Sequence, residues 1–177
     1  LMKLQGEELR GEYRRTVELP RPDGTVWRFV IQPLSLGFSR ELRRQGITPP
    51  ARPTRVVRDA TGKPLRDGQG LAVLAGDDEK SEYQADLERY HQRMAVLMIA
   101  EGLRGDPNVE FSSARPTGEG SWEAYADALI EELEGAGFSA GDVGVLCQEI
   151  ARMSQLLPEH VKGKRDSFPE RREVGFT

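Results

Sequence analysis

Two alternating runs face each other across Asp23-Gly24, and no other stretch limits the fold so tightly. "EYRRTVEL" puts Tyr13, Arg15, Val17 and Leu19 on one side of an extended chain. "TVWRFVIQP" puts Trp27, Phe29 and Ile31 on one side and Val26, Arg28 and Val30 on the other. A period of two, rich in β-branched and aromatic residues, predicts strands. The intervening "PRPDGT" supplies a glycine for positive φ and prolines that stop the strands running on. A single hairpin is marginal in water, so its aromatic face needs cover from helices or further strands.

The spacing after the hairpin becomes helical. "PLSLGFSRELRRQGI" predicts a short helix capped by Ser35 or Ser39 and ended by Gly46, with Leu34, Phe38 and Leu42 turned towards the hairpin. Over 81–103, Tyr83, Leu87, Tyr90, Met94 and Leu97 form a heptad-like stripe behind a Ser81–Gln84 capping box. "SWEAYADALIEELEGAG" places Trp122, Tyr125, Ala126, Leu129, Ile130 and Leu133 on one stripe, with Glu131, Glu132 and Glu134 off it. Ser139 and Asp142 have capping-box spacing, and Phe138 and Val143 that of a hydrophobic staple. They start a helix whose apolar face is Val143, Leu146, Cys147, Ile150, Met153 and Leu157, and which Pro158 ends.

The expected fold is therefore α+β: an N-terminal β-hairpin packed on a predominantly helical region. Residues 1–47 carry the hairpin and short helix. Residues 48–80 are read as a flexible linker, because 48–76 is rich in proline, glycine and charge and shows no sustained period. Limited proteolysis is expected to cut there first. Residues 81–157 form the helical region, its last two helices an antiparallel αα-hairpin, and 158–177 a mobile tail.

Composition narrows the function classes. The chain has 177 residues, room for one sizeable core. Its 37% apolar and 31% charged residues favour a partly extended soluble protein over a compact enzyme. A formal charge of −4 gives no basic footprint for nucleic acid or an anionic membrane. The longest apolar run, 94–100, is too short to span a bilayer, and the first residues lack a signal-peptide core. A single cysteine fits a reducing compartment.

Candidate chemistry is sparse. Cys147 lies on an apolar stripe, where a thiol packs rather than reacts. Glu88 and His91 make one E-x-x-H pair, but a di-metal bundle needs two copies and further glutamates. "TGK" at 61–63 is followed by Pro64 and lacks the rest of a phosphate loop. "DDEK" at 77–80 reads as acids complementing a helix start, and "KGKR" at 162–165 is blunted by Asp166, Glu170 and Glu173. No catalytic, cofactor-binding or metal-binding residue is assigned, which shifts weight from enzyme to binding protein.

The layout resembles a known family. A hairpin ending in "VWRFVIQPLSLGFSREL", a variable linker and a helical region ending in "SWEAYADALIEELEGAGFSAGDVGVLCQEIARMSQL" are similar to the tail assembly chaperones of long-tailed bacteriophages and prophages. The resemblance implies a small protein of the host cytoplasm. It would bind the tape-measure protein during tail assembly, leave before the particle is finished, and have no catalytic residues. The alternatives are a structural component of a phage-like particle and, third, an enzyme of unrecognised type. The expected partner is a protein, with homo-oligomers allowed and neither nucleic acid nor membrane involved. Candidate partner-binding residues are Trp122, Tyr125, Leu129, Leu146 and Ile150 on the αα-hairpin, with Phe168 and Phe176 in the tail. The stripes from Trp122 to Leu133 and from Val143 to Leu157 are expected to meet along one seam. Trp122 and Tyr125 either anchor a partner or close the core against the 81–103 helix.

Overall fold

The structure is a computed structural model that describes residues 3–5, 7–8, 13–117 and 120–156. Strands β1 (Lys3–Leu4) and β2 (Glu7–Glu8) make a minimal antiparallel ladder. Strands β3 (Arg15–Pro20) and β4 (Val26–Ile31) form the expected hairpin, pairing Val17 with Phe29 and Leu19 with Trp27. Its turn is closed by the Gly24 N–H on the Arg21 carbonyl and the Arg21 N–H on the Thr25 carbonyl. Gly24 takes φ +84°, and the Asp23 carboxylate accepts from the Thr25 N–H and hydroxyl. Alternation then decides what is buried: Val17, Leu19, Phe29 and Ile31 face inward.

Four helices follow in the order α1 (Phe38–Arg44), α2 (Ser81–Gly102), α3 (Trp122–Gly135) and α4 (Ala140–Met153), giving an α+β fold. α2 is the centre. One core joins its Val96 and Leu97 to Phe38, Leu42 and Ile47 around α1 and to Trp122, Ala126, Leu129 and Leu133 of α3. The other joins its Ile99 and the following Leu103 to the hairpin and to Leu146 and Ile150 of α4. α3 and α4 thus bury their stripes on different flanks of α2, not along a shared seam. Helical periodicity shows which face is apolar but not which neighbour covers it, and the nearly all-apolar second half of α2 can accept both. At Gly102 a Cβ would lie 2.4 Å from Ile150 Cδ1, so the missing side chain lets α2 and α4 close.

Some expected helix ends move by a few residues. α1 begins after Gly37 without a side-chain cap, and Ser81 is the first residue of α2 rather than its cap. Gln84 reaches back to the Asp78 carbonyl instead. Ser121 caps α3 and the Ser139–Asp142 capping box starts α4 as expected. α4 stops at Met153, where Gln155 takes φ +54° and the Leu156 N–H returns to the Ala151 carbonyl. Leu157, Pro158, Phe168 and Phe176 lie outside the described residues.

Residues 48–80 are not structureless. β5 (Thr54–Val56) pairs antiparallel with β6 (Leu74–Gly76), and between them the sequence repeats with a period of eight. Val57, Leu65 and Val73 share one place in the repeat, Arg58-Asp59 and Arg66-Asp67 the next two, and Gly62 and Gly70 a later one. The three apolar residues close a ring of backbone hydrogen bonds. Val57 N–H donates to Val73, Leu65 N–H to Val57 and Val73 N–H to Leu65, at 2.8–2.9 Å. Each lobe between them is the turn seen at Asp23-Gly24. Asp59 and Asp67 carboxylates accept two backbone N–H groups apiece, and Gly62 and Gly70 take φ +83° and +78°. "TGK" is therefore turn chemistry. The whole arm from Thr54 to Gly76 packs mainly on itself and is exposed along almost its entire length.

Arg21 binds the hairpin turn to the helical half. Its guanidinium donates to the Gly137 carbonyl and the Asp142 carboxylate and lies 4.0 Å over the Trp27 ring. The Ser139 backbone N–H, the Ser139 hydroxyl and then Arg21 hold the Asp142 carboxyl down at about 2. A carboxyl lowered from 3.8 stabilises the fold above the unfolded value and stops doing so as pH falls through about 2. Acid titration should therefore show a loss of melting temperature between pH 4 and 2 that is smaller in Asp142→Asn. An equal loss in both would mean that this carboxylate does not contribute.

Candidate functional site

Because α3 and α4 splay apart on α2, they leave a groove between them. Its floor is Ala95 and Val96 of α2, one wall is Ile130 and Leu133 of α3, the other is Ala140 and Val143 of α4, and Phe138 stands at the connection. The volume is about 380 Å³. His91, Gln92, Glu134 and Ser139 supply the polar parts of the lining. The local causes are readable. The Schellman turn after α3, with Phe138 N–H on Leu133 and Gly137 N–H on Glu134, reverses the chain within three residues. Gly137 takes the required positive φ of +84°. The capping box then fixes the direction of α4. Phe138 is held in turn by the rings of Trp27 and Phe29, at centroid distances of 5.1 and 5.8 Å.

A second hollow, about 320 Å³, lies on the opposite flank. It is lined by Leu97, Phe111, Trp122 and Tyr125 with Glu101, Arg104 and Arg115 at its edge. Trp122 and Tyr125 meet edge to face at 5.9 Å, and the Arg115 guanidinium lies 5.0 Å from the Trp122 ring. Burial pushes the Tyr125 phenol up. Elsewhere along the same helix pair, Arg93 ties α2 to α3 by pairing at 2.7 Å with both Asp127 oxygens and at 2.6 Å with Glu123. Glu132 of α3 accepts from the Ser112 and Ser113 N–H groups and the Ser113 hydroxyl. Burial opposes its ionisation, but those hydrogen bonds outweigh it and leave the carboxyl lowered.

The sequence candidates are divided between these places. Trp122, Leu129, Leu146 and Ile150 are core residues, 0–7% exposed, and offer no free face to a partner. Tyr125 is half-buried at the second hollow. The groove instead combines Ile130 and Leu133 of the α3 stripe and Val143 of the α4 stripe with Ala95 and Ala140, which belong to no expected stripe.

Cys147 packs against α2 with its Sγ 3.6 Å from the Ala95 carbonyl, and burial pushes the thiol up to about 11. Such a thiol is a poor nucleophile near neutral pH. Glu88 and His91 belong to no group of three or more possible ligands among the described residues. No described helix is long and apolar enough to cross a membrane. No family model matches the chain, and neither does any curated protein or solved structure.

Proposed function

We propose that the chain is a non-catalytic protein-binding protein, a cytoplasmic tail assembly chaperone that holds the tape-measure protein during tail morphogenesis. The observation that carries the binding reading is the open apolar groove on α2, walled by Ile130, Leu133, Ala140 and Val143. Grooves of this kind accept one face of an amphipathic helix, whose apolar side chains recur at three- and four-residue steps. The tail-assembly reading rests on the resemblance in layout. The projecting arm favours a second reading, a structural component retained in the particle, because its four exposed large apolar side chains would be covered by neighbouring subunits. Detection of the chain in purified particles would select that reading.

Ala140→Glu tests the groove. Ala140 is exposed at its lip and is the first residue of α4, where a carboxylate suits the positive helix end. The melting temperature should hardly change. Affinity for the tape-measure protein should fall about tenfold or more, because a charge is buried against an apolar helix face. Unchanged affinity in a titration would remove the groove as the binding site.

A further inference from the structure

The arm from Thr54 to Gly76 is ordered by its own turns, yet it buries almost nothing. Four large apolar side chains, Val56, Leu65, Leu71 and Leu74, are exposed on it. Its root is fixed, with the Asp77 N–H on the Pro53 carbonyl and Arg52 paired with Asp78. It is a preformed projecting surface, which lowers the ordering cost of binding.

Its charge identifies the occupant. Residues 52–76 hold five basic and two acidic side chains, whereas residues 77–156 hold six basic and seventeen acidic ones, so the two parts of one chain are complementary. Both arm acids, Asp59 and Asp67, are taken up by turn N–H groups. Arg58 and Arg66 each donate one N–H to a turn carbonyl, which leaves their charge unneutralised. Arg55 and Lys63 are exposed and pair with no described acid. On the helical side Asp127, Asp142, Glu101 and Glu149 are engaged by arginines. Glu131 and Glu134, three residues apart and exposed on α3, pair with no described cation.

We infer that the arm of one copy docks through Arg55, Arg58, Lys63 and Arg66 on the acidic face of α3, around Glu131 and Glu134, of a second copy of this chain. The contact joins opposite charges and covers the exposed leucines of the arm. Glu134 also stands in the lining of the groove, so the assembly is read from the arm variants and the groove from Ala140→Glu on the opposite wall.

The experiment is sedimentation of the full chain at low and high ionic strength. The expected result is an assembly of two or more copies at ~20 mM salt that dissociates by ~500 mM, where the screening length drops to a few ångströms. Arg55→Glu with Lys63→Glu should give monomers at low salt, with far-UV circular dichroism unchanged. Combining that variant with Glu131→Lys and Glu134→Lys should restore association. Carbodiimide coupling of an isotope-mixed sample should join Lys63 of one copy to Glu131 or Glu134 of another. A monomer at low salt overturns the inference, as does an assembly indifferent to the arm reversal. Loss of association without rescue overturns the assignment to α3.

Discussion

Trp122→Ala is expected to cost about 3–5 kcal/mol of folding stability, the range for removing a large aromatic side chain from a core. Trp122 is 7% exposed and belongs to the cluster that joins α1, α2 and α3, so its removal leaves a void bordered by three helices. The Tyr125 ring loses its edge-to-face neighbour and Arg115 loses the ring beneath it. For a chain of this length the loss corresponds to a fall in melting temperature on the order of 10 °C. Trp122→Phe, which keeps a ring in place, should lose less than half as much. A shift below ~3 °C, together with partner affinity weakened by about 2 kcal/mol, would instead make the ring an interface anchor.

The reach of the sequence can be judged element by element. The β3–β4 hairpin was legible because alternation and Asp23-Gly24 are local signals that agree. The capping box at Ser139 was legible for the same reason: its donors and acceptors are three residues apart. The pairing of helices was not legible. Apolar stripes on α3 and α4 fit each other as well as they fit α2, and the selection is made by long-range packing such as Ile150 over Gly102. The groove follows from that selection, so Ile130, Leu133, Phe138 and Val143 were legible as apolar helix and staple positions but not as one lining while α3 and α4 were expected to share a seam. The arm was missed for another reason. Proline, glycine and charge predict irregular chain, but the eight-residue recurrence of Arg-Asp and Gly within 58–70 carries a turn whose hydrogen bonds are all local.

The other large effect is expected at Asp106, which no sequence pattern marked. It is 5% exposed, the one charged residue buried to that degree among the described residues. One carboxylate oxygen accepts the Val30 N–H at 2.6 Å and the other accepts the Asn108 N–H at 2.9 Å. The first bond lies on the free edge of β4, where the backbone would otherwise be left unpaired. Two residues on, the Gln32 N–H donates to the Gly102 carbonyl at 2.8 Å, so the end of α2 and its following loop supply acceptors to the outward N–H groups at this end of the hairpin. Asp106→Leu removes two charge-assisted hydrogen bonds and strands a buried N–H, a loss of about 3 kcal/mol. Asp106→Asn keeps an acceptor for one N–H but brings an amide that needs an acceptor of its own, and should recover only part of the loss. Hydrogen exchange at Val30 separates a local from a general effect. In the native chain this N–H should be protected as well as the β3–β4 ladder. In Asp106→Leu it should exchange faster than the N–H groups within that ladder, because the hairpin then keeps its own pairing and loses its attachment to the helices. Equal protection at Val30 in both proteins would mean that the β4 edge is held by packing of Phe29 and Ile31 alone.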